Sequence, residues 1–135
     1  MKLAFSTLGC PDWSIEHIIE TATRCGYQGI ELRGIQGGME PGDIVCLQPE
    51  NREATLAALA QNKLALCVYG TSVHFHDPET VEKHYQTALE ALQFCADCGI
   101  PMMRIFGNEV KPETEEAQLT QIACYFQKQI GRAHV

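Results

Sequence analysis

The residues able to do ion-pair, proton-transfer or metal chemistry gather at the ends of short apolar, β-rich runs. Glu31 and Arg33 close the run Gly29 to Arg33. Arg104 lies inside Met102 to Phe106, which Gly107, Asn108 and Glu109 follow. A third such run ends in Thr71-Ser72-Val73-His74-Phe75-His76-Asp77. Guanidinium groups recognise carboxylates, phosphates and hydroxyls through planar, paired donors. Side chains alternate along an extended chain, so if Ile30 and Leu32 face covering helices, Glu31 and Arg33 share the opposite face. The same alternation turns Met103 and Ile105 outward and Arg104 and Phe106 inward. Glu31 and Arg104 are therefore expected to meet and to line the polar floor of a site that binds substrate hydroxyls or a phosphate. A purely structural ion pair is the alternative, although burying such a pair is costly and stabilises little.

The two imidazoles of His74 and His76 stand two residues apart, on one side of an extended chain, as a metal site could use them. Asp77 is taken up as a helix cap, and the other strand ends supply only Glu31 and Glu109 as clear ligands. His74 and His76 are accordingly read as substrate contacts or loop-packing residues ahead of metal ligands. His17 and His84 fall on helices as surface residues, Gly107 allows close approach of a ligand to the backbone, and Glu109 reads as part of a turn that starts a helix. The candidate substrate-binding set is Glu31, Arg33, His74, Arg104 and Asn108; no residue is assigned a catalytic role and none is assigned as a metal ligand. The seven cysteines are odd in number and scattered through apolar stretches, which fits buried thiols better than a disulfide framework. Cys95-Ala-Asp-Cys98 sits near the end of a helical run, away from the helix N-terminus that would activate a thiol, and no second such pair completes a zinc site.

Four repeats of one pattern, a β-rich run and then a helical period, must position these groups. Unit one is Lys2 to Leu8 followed by a helix from about Ser14 to Cys25, capped by Ser14, stopped by Gly26 and striped by Ile15, Ile18, Ile19 and Ala22. Unit two is Gly29 to Arg33, then a helix over about 50–62 with Leu56, Leu59 and Ala60 inward. Unit three is Leu64 to Val73, then a helix from Pro78 to Cys98, with Asp77 as cap, Gly99 and Pro101 as stop, and Val81, Tyr85, Ala88, Leu92 and Cys95 as its stripe. Unit four is Met102 to Phe106, then a helix over about 114–129 with Leu119, Ile122, Ala123 and Phe126 inward. The connection over 34–49, which contains Gly34, Gly37, Gly38 and Gly42, exceeds what a βα turn needs. It reads as a substrate-covering loop or as a flexible surface insertion.

Strands alternating with helices imply βαβ units and a parallel sheet. An open doubly wound sheet would carry a glycine-rich phosphate turn after its first strand, and Ser6-Thr7-Leu8-Gly9-Cys10-Pro11 is not one. The strand markers Leu3, Ile30, Leu64 and Met103 are spaced by 27, 34 and 39 residues, near the roughly 31 per unit of a (β/α)8 barrel of about 250 residues. The fold class is thus α/β, a TIM barrel truncated to about its first four βα units. Residues 1–129 form this half-barrel. The stretch 130–135, which lacks cap and periodicity and resembles the translation of a common sequencing adapter, reads as a non-native tail.

Composition narrows the partners. With 10 Lys+Arg against 17 Asp+Glu, the 135-residue chain carries a formal charge of −7, which leaves no basic footprint for nucleic acid. The uncharged apolar runs fall short of the roughly 18 residues of a membrane span, and the N-terminus lacks a signal-peptide core. A cytoplasmic protein acting on a small molecule is expected.

Leu3-Ala4-Phe5-Ser6-Thr7-Leu8-Gly9-Cys10-Pro11-Asp12-Trp13-Ser14, Gly26-Tyr27-Gln28-Gly29-Ile30-Glu31-Leu32-Arg33, Ser72-Val73-His74-Phe75-His76-Asp77-Pro78 and Met103-Arg104-Ile105-Phe106-Gly107-Asn108 resemble the sugar phosphate isomerase/epimerase family, the xylose isomerase-like barrels. The likeness runs to about Gln129, and its motifs are shared by members with different substrates. It implies a divalent metal (Mn, Mg, Co or Zn) that polarises a carbonyl or hydroxyl of a sugar or sugar phosphate while acid-base groups move a proton between adjacent carbons. In the isomerase-like members the ligands lie mainly on strands five to eight, beyond this chain, so the segment by itself is expected to lack full activity. The family's endonuclease IV-like DNA-repair branch is the alternative. It would use histidines at the ends of strands three and four, where the fourth strand here offers Arg104 and Asn108. A third reading is a catalytically inactive half-barrel whose open edges make it associate, as a homo-oligomer for instance.

Overall fold

The structure, a computed structural model, describes residues 1–130. Strand β1 (Ala4–Ser6) leads through a 3-10 turn to helix α1 (Ile15–Arg24); β2 (Gly29–Leu32) is followed by α2 (Pro49–Gln61), β3 (Ala65–His74) by α3 (Val81–Cys98), and β4 (Met103–Phe106) by α4 (Glu115–Ile130). The strands form one sheet in the order β1-β2-β3-β4, every neighbouring pair parallel. This α/β arrangement matches a partial TIM barrel.

Local chemistry explains where the elements start and stop. The Ser14 hydroxyl accepts from the His17 amide at 3.4 Å, capping α1. Gly99 ends α3 at φ +66°, the left-handed backbone that lacks a Cβ penalty only in glycine. Ile15, Ile18, Ile19 and Ala22 are all buried, as the period of α1 requires. Together with Ile30, Leu32, Leu59 and Leu66 they build the larger of two cores. The smaller lies under α3 and is made of Val73, Phe75, Val81, Tyr85 and Ala88, with Ile122 and Tyr125 of α4 against it.

Four expectations need correction. Helix α3 begins at Val81, not Pro78, because the Asp77 carboxylate closes a separate turn, accepting from the Glu79 amide at 3.0 Å and the Thr80 hydroxyl at 2.9 Å. Leu92 of α3 is only half-buried, and Ala91 and Phe94 are buried in its place. On α2 the buried positions are Thr55 and Leu59, with Ala60 exposed. Thr55 faces inward because its hydroxyl donates to the Cys46 carbonyl at 2.6 Å. On α4, Leu119 and Phe126 are 53% and 40% exposed and Ala123 is exposed, while Gln118 and Gln129 are buried. The helix is turned by the polar contacts of its inner face: Gln118 accepts from the Lys111 amide, Gln121 donates to the Phe75 carbonyl and the Tyr125 hydroxyl donates to Glu82. Of the expected tail, Ile130 continues α4, and 131–135 lie outside the described residues. No helix among the described residues is long and apolar enough to cross a membrane.

Candidate functional site

The ends of β2, β3 and β4 bring Glu31, Arg33 and Arg104 together. Ile30 and Leu32 are buried under the helices, which leaves Glu31 and Arg33 on the concave side, as the alternation of β2 requires. In the sheet Glu31 lies opposite Val68 and Arg104 opposite Gly70, so β3 separates the two charged residues. They nevertheless meet, with Arg104 Nε donating to Glu31 Oε1 at 3.3 Å. Gly70 makes this possible. A Cβ at that position would stand 2.8 Å from Arg33 Cδ, 2.9 Å from Arg104 Nη2 and 3.1 Å from Glu31 Oε1, so the missing side chain is the space in which the three groups converge.

Arg33 is held from several sides. Its amide donates to Thr7 Oγ1 at 2.8 Å, and the same hydroxyl donates to the Gly34 carbonyl at 2.7 Å, so the turn after β1 fixes the exit from β2. Its Nη2 donates to Ser72 Oγ at 3.1 Å, and Nη1 lies 3.9 Å from Met39 Sδ. The residue is 9% exposed, and among the described residues its guanidinium contacts no carboxylate. Phe106 shares its ring between both cations, 4.4 Å from Arg104 Cζ and 6.0 Å from Arg33 Cζ. Two guanidiniums against one carboxylate leave a net positive cluster beside the Phe106 ring in a chain whose formal charge is −7.

The 34–48 connection packs beside this cluster instead of hanging free. Ile44 and Leu47 are fully buried, and the Tyr69 hydroxyl donates to the Met39 carbonyl at 2.9 Å. Burial raises the Tyr69 phenol far above its ordinary range, which keeps it neutral and donating.

The other candidates lie elsewhere. His74, at the last position of β3, packs against His84 of α3 with ring centroids 3.7 Å apart and planes tilted by 44°, and its ring lies 4.8 Å from that of His76. His84 is thus half-buried, not a surface residue. Burial, then the neighbouring His74, Lys83 and His76, hold its titration below the usual histidine value. His76 lines a cavity of about 690 Å³ with Asp77, Glu79, Glu109, Lys111 and Gln118, and its buried Nδ1 has no partner in the described structure. Glu109 therefore faces a cavity as well as starting a turn. Asn108 is exposed on the loop after β4, at φ +58°. Cys95 and Cys98 are buried on the last turns of α3, and burial pushes the Cys95 thiol up to about 12. That shift keeps the thiol protonated and unreactive.

Sequence reasoning passed over Thr7, Ser72 and above all Gly70. A glycine inside a β-branched and aromatic run is a signal of close approach, and Leu66-Cys67-Val68-Tyr69-Gly70-Thr71 carries it. Among the described residues no three His, Cys, Asp or Glu side chains come together to hold a metal ion. The divalent metal implied by the resemblance does not fit onto this donor set.

No family model matches the sequence, and no curated protein matches it. Among solved structures, the chain is similar to the crystal structure of the probable 3-DHS dehydratase AsbF, involved in petrobactin synthesis, from Bacillus anthracis. The TM-score is 0.77 at 15% identity, and the match covers 100% of this chain and 50% of that one. The likeness is one of fold, and this chain spans about half the length of the enzyme that shares it.

Proposed function

We propose that the Arg33, Arg104 and Glu31 cluster is the substrate-contact part of an enzyme acting on an anionic sugar derivative, a sugar phosphate in the first instance, by isomerisation or epimerisation. The observation that carries this reading is Arg33: an arginine only 9% exposed as a residue, with no carboxylate against its guanidinium among the described residues, is costly unless a ligand anion completes it. Arg104 stands beside it, with Glu31 to accept a hydroxyl hydrogen bond. Proton transfer between adjacent carbons needs acid-base groups that the described residues do not identify, and the expected metal would need ligands other than these.

A second reading is dehydration of an anionic hydroxy compound, which draws its support from the similarity to the probable 3-DHS dehydratase. The endonuclease alternative is disfavoured by the formal charge of −7 and by the presence of Arg104 and Asn108 where that branch would need a histidine.

Titration of the chain with inorganic phosphate, ribulose 5-phosphate and unphosphorylated ribose tests the binding claim. Saturable binding of the phosphorylated compounds, lost on Arg33→Met, is expected. Equal binding by the wild type and Arg33→Met sinks it. Reaction class is then read in deuterated water: proton-transfer isomerisation places solvent deuterium on the carbon next to the carbonyl, whereas dehydration yields a product lighter by one water.

A further inference from the structure

We propose that the imidazoles of His74, His76 and His84 are the proton sensor of the arginine site: a proton taken up by this cluster tightens the hold of Arg33 and Arg104 on an anion, so that anion affinity rises as pH falls. The proposal rests on the reading of those arginines as substrate contacts and adds their regulation. Its starting observation is the ring contacts themselves, with the His74 centroid 3.7 Å from that of His84 and 4.8 Å from that of His76. The stretch 71–74 joins this cluster to the arginines. The register between β3 and β4 is interrupted between Gly70 and His74, and His74 resumes it opposite Phe106, whose ring lies 4.4 Å from Arg104 Cζ. Within the interruption the Thr71 hydroxyl donates to the Arg104 carbonyl at 2.8 Å, and Ser72 Oγ accepts from Arg33 Nη2 at 3.1 Å. His74 Nδ1 stands 3.2 Å from the Ser72 carbonyl. A carbonyl only accepts, so Nδ1 carries the hydrogen and Nε2 is the nitrogen left to take a proton. Ser72 thus touches Arg33 through its hydroxyl and the imidazole cluster through its carbonyl.

The charges facing the rings decide where that proton goes. Burial, then His74 and Lys83, disfavour a charge on His84, which leaves the proton to His74 and His76. Beside those two stands Asp77, whose carboxyl is held below its usual range by the Glu79 amide and the Thr80 hydroxyl and, more weakly, by His76 and His74. Across the cavity His76 faces Glu79, Glu109 and Lys111. On the sheet side come Arg33, Arg104 and Glu31, one carboxylate against two guanidiniums. From that side the arginines oppose a proton on the rings, and an anion bound to them removes the opposition. By reciprocity the proton favours the anion to the same degree. Because His74 and His76 share one neighbourhood, they are expected to take up this proton as a coupled pair.

Sulfate is the probe that tests this, because its two charges stay constant over the histidine range, where inorganic phosphate gains a proton. At constant ionic strength, calorimetric titration is expected to show sulfate affinity rising about threefold or more from about pH 8 to about pH 6. The rise is expected to vanish in His74→Gln/His76→Gln. Should that variant lose its helical circular dichroism, the reciprocal measurement decides without any substitution: sulfate should move the ring-proton magnetic resonance titrations of His74 and His76 to higher pH and leave that of His17 on α1 where it is. Absence of sulfate binding by the wild type overturns the arginine reading and this proposal with it. Binding that is lost on Arg33→Met yet flat with pH overturns the proton linkage alone. So does a rise that survives the double substitution in a folded chain, or His74 and His76 titrations indifferent to sulfate.

Discussion

Gly70 determines whether two arginines and a glutamate from three strands can share one space. Because a Cβ would stand 2.8 Å from Cδ of the buried, hydrogen-bonded Arg33, Gly70→Ala should cost about 1–3 kcal/mol while driving the guanidiniums apart. Phosphate titration beside a denaturant melt reads the two effects: affinity of the folded chain is expected to fall about tenfold or more, with the midpoint lowered but the transition still cooperative. His84 gives a second residue-scale outcome. Its folded-state titration lies below the ordinary histidine value of 6.5, so the unfolded chain binds its proton more readily. The stability held by the neutral ring is full above pH 6.5 and is lost as pH falls from there through the lower folded value. Melting temperatures taken across that window should drop for the wild type and drop less for His84→Gln. The meeting of Glu31 with Arg104 was legible from alternation on β2, where Ile30 and Leu32 are buried on either side of the half-buried Glu31, although on β4 Met103, Arg104 and Ile105 are all half-buried. The displacement of His74 from that group was not, because at the end of β3 its partner is an imidazole from α3, ten residues further along the chain, and no local pattern announces it.

At the scale of elements, helices were readable where an apolar stripe and a cap agree. Ser14 and the Ile15, Ile18, Ile19, Ala22 stripe define α1 because nothing competes with them. Helix α4 misleads for a physical reason: it carries two stripes one residue apart, Gln118-Ile122-Tyr125-Gln129 and Leu119-Ala123-Phe126-Ile130, and the more apolar one is the more exposed, touching the core only where Phe126 meets Phe75. Periodicity reveals that a face exists but not which neighbour takes it. The alanine-rich α2 blurs its inner face for a similar reason, having few large side chains to mark it. Leu59, 2% exposed at the centre of that face, supplies the test: Leu59→Ala should destabilise by about 2–5 kcal/mol, whereas Ala60→Ser on the exposed side should stay within about 0.5 kcal/mol. Urea midpoints of the two variants decide the orientation of α2; equal losses would mean that the helix is rotated from the orientation described.

For the molecule as a whole, strand spacing gave the fold and the number of units, because each βα unit consumes a nearly constant length of chain. What that arithmetic leaves open is how its long connections behave. The 34–48 segment, with four glycines, has the composition of a loose insertion, yet Ile44 and Leu47 are anchored in the core and Tyr69 holds Met39. The shorter stretch between β4 and α4 has residues 107–114 all exposed. Nicking by proteases follows local unfolding of backbone and not loop length. A glutamate-specific protease should therefore cut after Glu109 well before Glu40, as mass spectrometry of a short digest would show, with early cleavage at Glu40 as the contrary result. The same tether means that the segment beside Arg33 is in place before any ligand arrives, so association with the arginine cluster should proceed in a single kinetic phase whose rate rises linearly with ligand concentration.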